Sequence, residues 1–145
     1  MERQKRALIF DDNQDLIHLL ERFLKLNGYD VFTYGDPSLC PLQHSHECHC
    51  GKNQACTDIV ITDIDMPNVS GLDFIDGQIR KGCKVQNIAI MSDNWSVTNM
   101  KRVRDIGCAV FEKPLSFSTI KEWIDRCEEK NNPCEDLSNW FLQDE

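Results

Sequence analysis

Five short apolar runs, ALIF (7–10), VFTY (31–34), IVIT (59–62), IAIM (88–91) and AVF (109–111), set the main constraint on what this chain can fold into. They are mostly continuous rather than alternating, which is the pattern of strands covered on both faces. Amphipathic stretches separate most of them. Leu16, Leu19, Leu20, Phe23 and Leu24 repeat at the spacing of one buried helical stripe, with Asn13 placed as N-cap and Gly28 as the residue that ends the helix. Leu72, Ile75 and Ile79 predict a helix ending near Gly82, and Met100 and Val103 a weaker one between Ser96 and Gly107. Ile120, Trp123, Ile124 and Cys127 predict a last helix capped by Ser118 or Thr119. Strands alternating with helices predict an α/β fold, a parallel sheet wound by right-handed crossovers.

A chain of 145 residues fits one domain and buries a sizeable core without staples. We place that domain at 1–130, followed by a tail at 131–145 after the turn signal NNP. The alternation breaks once. Residues 35–58, GDPSLCPLQHSHECHCGKNQACTD, have turn formers and an excess of Cys and His but no amphipathic stripe, so the helix expected there is replaced or shortened by a loop. The balance of 24 acidic to 16 basic residues gives a net charge of -8, which repels phosphate backbones and anionic lipid surfaces. Neither nucleic acid nor membrane is therefore an expected partner. The basic N-terminus leads into an apolar stretch that Asp11 interrupts, too short for a leader or a span. These features predict a cytoplasmic protein, whose eight cysteines act as thiols, metal ligands or redox switches rather than as a disulfide framework.

In open α/β sheets, ligands bind beyond the carboxyl ends of the strands. Asp11 and Asp12 follow the first run, Asp63 and Asp65 the third, Ser92 and Asp93 the fourth, and Lys113 with Pro114 the fifth. Helix capping accounts for one acid, hardly for three of them together with a lysine. Asp11, Asp12 and Asp63 cannot stay ionised a few ångströms apart unless a cation intervenes, and Mg²⁺ suits a site made of carboxylates alone. Asp63 can then attack phosphorus to form an aspartyl phosphate. The added charge is met by the metal, the Lys113 ammonium and the Ser92 hydroxyl.

These residues resemble the response-regulator receiver domain of two-component signalling. The likeness is carried by Asp11-Asp12, by DIDMPNVSG with its D-x-x-M-P and Gly71, by Ser92, and by EKP (112–114), over about residues 5 to 129. The resemblance implies a flavodoxin-like sheet of order 2-1-3-4-5 and a cis bond before Pro114. It implies that Asp63 is the phosphoacceptor and that Asp12 and the backbone carbonyl of Asp65 ligate Mg²⁺, with Asp11 acting through water. Ser92 would hydrogen-bond the phosphoryl group and Lys113 would pair with it. A sensor histidine kinase would donate the phosphoryl group and a downstream protein would read it, so the chain is a signalling domain rather than an enzyme.

Departures from the family pattern are informative. Asp93 replaces the small residue that usually follows the hydroxyl residue, and Asp65 and Asn94 fill the two positions that tune water access. The segment from Gly107 to Lys113 is one residue short, which leaves Phe111 as the aromatic to weigh as a switch against an ordinary place in the core.

The loop is the part the family does not explain. Cys40, Cys48, Cys50 and Cys56, with His44, His46 and His49 among them, have the ligand chemistry of a tetrahedral Zn²⁺ site, although C-x7-C-x-C-x5-C lacks the usual C-x2-C knuckle. Reactive or disulfide-forming thiols and an unligated polar loop are the competing readings. Two alternative functions follow: a receiver-like sensor of metal or redox state through this loop, and a phosphatase of the haloacid dehalogenase type, which the D-x-D of Asp63 and Asp65 suggests. The second conflicts with a D-x-D placed after the third apolar run and leading into Met-Pro.

Overall fold

The computed structural model describes residues 5–35, 57–66, 70–82, 85, 87–93 and 95–130. The loop bearing the seven Cys and His candidates, the tail and Asn94 lie outside them. Five strands form one parallel sheet: β1 (Lys5–Phe10), β2 (Tyr29–Tyr34), β3 (Ile59–Asp63), β4 (Asn87–Ser92) and β5 (Ala109–Glu112), in the order β2-β1-β3-β4-β5. Among the described residues the helices are α1 (Gln14–Leu26), α2 (Gly71–Arg80), α3 (Val97–Ile106) and α4 (Phe117–Lys130). This is the expected flavodoxin-like arrangement.

Successive strand residues feed opposite faces of the sheet. Ala7, Ile9, Ile59, Ile61, Ala89, Met91 and Phe111 pack under α1 and α4. Leu8, Phe10, Val60, Ile88 and Ile90 pack under α2 and α3, through Leu72, Phe74, Ile75 and Val103. Both faces are covered, which is why the runs read as continuous. Asn13 accepts the Leu16 N–H as N-cap, and Gly28 follows α1 with φ +91°, a backbone state that glycine adopts without a Cβ penalty.

Three local expectations need correction. The buried stripe of α1 runs through Ile17, Leu20 and Leu24, while Leu19 is 52% exposed. At 3.6 residues per turn Leu19 lies about 100° around the helix from Leu20, outside the arc that meets the sheet. In α2, Ile79 is 43% exposed and Phe74 is buried instead, its ring 4.6 Å from that of Phe10. That aromatic contact turns the buried face of the helix toward Phe74. The last helix begins two to three residues earlier than expected: Ser116, not Ser118 or Thr119, caps α4, its hydroxyl accepting the Thr119 N–H and its carbonyl the Ile120 N–H.

The corrected α1 face makes a prediction. Leu20→Ala, at a fully buried position, is expected to cost about 2–5 kcal/mol in urea unfolding. Leu19→Ala is expected to stay within about 0.5 kcal/mol of the wild type.

Candidate functional site

Parallel strands aim all their carboxyl ends at one rim, so residues far apart in sequence arrive there together. Asp11 and Asp12 follow β1, Asp63 ends β3 and Ser92 ends β4. Lys113 follows β5 and is joined to Pro114 by a cis peptide bond. The Lys113 ammonium lies 3.0 Å from Asp11 Oδ2 and 3.0 Å from Asp63 Oδ2. One oxygen each from Asp11, Asp12 and Asp63 fall within 4.8 Å of one another. Asp11 and Asp63 are buried, and Asp12 is exposed at the rim.

The remaining bonds fix these groups in place. Asp11 Oδ1 accepts the Asn13 N–H at 2.8 Å, tying the carboxylate to the start of α1. Asp63 Oδ1 accepts the Asp65 N–H at 3.2 Å, an Asx-type turn that leaves Asp65 itself exposed. Ser92 is buried, and its carbonyl accepts the Lys113 N–H at 3.0 Å, so β4 sets the height of the lysine. Ile64 donates to Met91 O and accepts from the Gly71 N–H, bridging β3 to β4 and to the first residue of α2.

Electrostatics set two opposed demands. Burial pushes the Asp63 carboxyl above the ordinary aspartate value, the Lys113 ammonium pulls it back, and the neighbouring Asp11 pushes it up again. For Lys113 burial works to lower the value, but the two carboxylates outweigh it and the net direction is upward. Three acids around one ammonium are under-compensated. A divalent cation with oxygen ligands fits this donor set and would supply the missing positive charge.

The sign of the pH dependence follows. With the folded value raised, the Asp63 contribution to stability is complete below pH 3.8 and is lost as the pH rises through the raised value. In a chelating buffer the wild-type melting temperature is expected to fall over that range relative to Asp63→Asn. Melts of both proteins at stepped pH provide the check, and parallel curves would contradict it.

The residues predicted to follow the strands meet here: Asp11, Asp12, Asp63 and Lys113 in direct proximity, with Asp65 and Ser92 bonded through their backbones. Phe111 does not join them. It is buried against Trp123 of α4 at 5.5 Å, edge to face, while Val110 takes the outward position of β5. One contributor escaped sequence reasoning. The Thr62 hydroxyl donates to Asp63 O at 3.0 Å, and its only sequence signal is a hydroxyl residue inside an aliphatic strand.

Comparison with known proteins agrees with this fold. The family model for the response regulator receiver domain matches residues 7–125. Among curated proteins, the two-component response regulator ARR11 of Arabidopsis thaliana is 26% identical over 116 residues, covering 80% of this chain and 21% of that protein. The chain thus spans about a fifth of that relative's length. Among solved structures, the HemR receiver domain of Leptospira biflexa is similar at 20% identity and TM-score 0.72, with 91% of this chain and 100% of that chain covered. The chemotaxis response regulator CheY4 of Vibrio cholerae is similar at 20% identity and TM-score 0.68, with 86% and 99% covered. At these identities the solved structures speak for the fold.

Proposed function

The chain belongs to the response regulator receiver domain family, and on that premise we propose that it is the phosphoacceptor of a two-component relay, modified on Asp63 with the help of Mg²⁺. The observation that carries this reading is the Lys113 ammonium held 3.0 Å from both Asp11 and Asp63, with Asp12 beside them. The same arrangement suits an acceptor carboxylate, a cation site and a charge partner for a phosphoryl group.

In this reading a carboxylate oxygen of Asp63 forms the new O–P bond while the P–N bond of a phosphohistidine on a sensor histidine kinase breaks. The departing imidazole nitrogen takes up a proton. Asp11, Asp12, Asp63 and the backbone carbonyl of Asp65 would hold the Mg²⁺, whose chemistry is to neutralise charge on the transferring phosphoryl oxygens. The Asp65 N–H holds the Asp63 side chain at the mouth of the site, limiting the rotation lost on reaction. Lys113, already bonded to Asp63, is poised to accompany the phosphoryl oxygens, and Ser92 would supply a hydroxyl donor. The charge added at Asp63 would bias the face around α3 and β5, where a downstream protein would read it. The Cys and His residues of the 35–58 loop, a candidate Zn²⁺ or redox element, lie outside the described residues.

The test is direct. Incubation with a small phosphodonor and Mg²⁺ is expected to add one phosphoryl mass to the wild type and none to Asp63→Asn, measured on the intact protein. An adduct that survives Asp63→Asn, or none on the wild type, would defeat the reading.

A further inference from the structure

The peptide bonds that follow Asp63 are held from several sides. The Ile64 N–H is bonded to Met91 O on β4, and Ile64 O to the Gly71 N–H. The Asp65 N–H is bonded to the Asp63 carboxylate. Asp63 O receives the Thr62 hydroxyl at 3.0 Å, and Thr62 is completely buried. The start of α2 closes over the same spot: a Cβ on Gly71 would stand 2.0 Å from Asp63 O and 2.9 Å from Thr62 Oγ1. The hydroxyl is the one side-chain donor among these backbone anchors, wedged between the end of β3 and the helix.

We infer that Thr62 is a positioning residue for the reaction proposed above, a role that rests on that reading. Its hydroxyl fixes the plane of the Asp63–Ile64 peptide. That plane sets where the Asp65 N–H meets the Asp63 carboxylate and where the Asp65 carbonyl is presented to the cation. Thr62 touches neither the phosphoryl group nor the metal; it acts through the backbone. A valine in its place keeps the shape and the strand preference of the residue and removes only the donor. The buried Asp63 carbonyl then loses a bond, and the loop gains freedom at the point that has to be most fixed.

The experiment compares wild type, Thr62→Val and Thr62→Ser in two measurements. The first is amide hydrogen exchange of Ile64, Asp65 and Gly71 without divalent cation. The second is a Mg²⁺ titration followed by backbone amide shifts. Thr62→Val is expected to speed exchange of these amides about fivefold or more and to weaken Mg²⁺ binding about three- to tenfold, with the melting temperature lowered by only a few degrees. Thr62→Ser is expected to restore both to within about twofold of wild type. Exchange and affinity unchanged in Thr62→Val, or a serine variant as impaired as the valine, would overturn the inference. Should the valine variant fail to fold, Thr62→Cys, with its weak donor, takes its place. A wild type that takes up neither Mg²⁺ nor phosphoryl group would defeat the proposed function instead, and the exchange comparison, made without metal, still decides the role of Thr62.

Discussion

Gly71→Ala is expected to lose about 3 kcal/mol of stability, a drop of roughly 10 °C in melting temperature, and to be phosphorylated at least about tenfold more slowly than wild type. The cause is close approach rather than backbone strain. The added methyl would sit 2.0 Å from the backbone oxygen of Asp63, with Thr62 Oγ1 at 2.9 Å. Neither neighbour is the free end of a long side chain, so the backbone itself has to move. The Gly71 N–H bond to Ile64 O and the capping of α2 by Ser70 are made by the same segment, so any shift is passed to the Asp63 loop. Thermal melts and the rate of phosphoryl uptake provide the measurement. An alanine variant as stable and as reactive as wild type would mean that the two elements do not pack this closely.

Lys113→Met should separate stability from cation binding. In the wild type the lysine side chain is 21% exposed and its ammonium sits between aspartate side chains that are 0% and 8% exposed. Removing it leaves two buried acids facing each other without compensation. Breaking a fully buried pair costs about 3–5 kcal/mol, and the partial exposure of the lysine argues for about 2–4 kcal/mol at pH 7.5 in chelating buffer. The loss should shrink as the pH falls, because Asp63, whose value burial already raises, can then take up a proton. It should also shrink on adding Mg²⁺, which binds the folded state. Affinity for Mg²⁺ is expected to rise several-fold, since a competing cation is gone, while phosphoryl transfer slows. Affinity and transfer thus move in opposite directions, an outcome that general damage to the fold would not produce. Urea unfolding at two pH values with and without Mg²⁺, alongside uptake from a small phosphodonor, tests all of it. Arginine in the same place is not expected to rescue transfer, because a planar fork cannot occupy the position of a compact ammonium.

The architecture was legible because both faces of the sheet are covered. Continuous runs such as ALIF and IVIT carry that information in their hydrophobicity alone, and the sheet order came through the family resemblance. The meeting of Asp11, Asp63 and Lys113 could be anticipated because parallel strands deliver their ends to one rim. What the sequence did not disclose depends on rotation and close contact. Leu19 and Ile17 differ only in where they fall around α1, and the stripe read from the sequence took in Leu19 and left out Ile17. Ser116 was missed as a cap because Ser118 and Thr119 offer the same chemistry two and three residues along. Thr62 could not be singled out, since a hydroxyl residue in a strand looks the same whether its donor meets a carbonyl or nothing. The Arg102–Asp73 ion pair linking α3 to α2, at 2.9 Å, was invisible for the same reason, and its exposure limits it to less than about 1 kcal/mol.

The placement of Phe111 inward and Val110 outward on β5 decides how a change at the rim could be watched. A branched aliphatic side chain with one stiff torsion has no ring to swing. Spectroscopists following this strand should therefore label valine methyls, whose resonances report small shifts in neighbouring contacts, and should not expect ring-current changes from an aromatic flipping between solvent and interior.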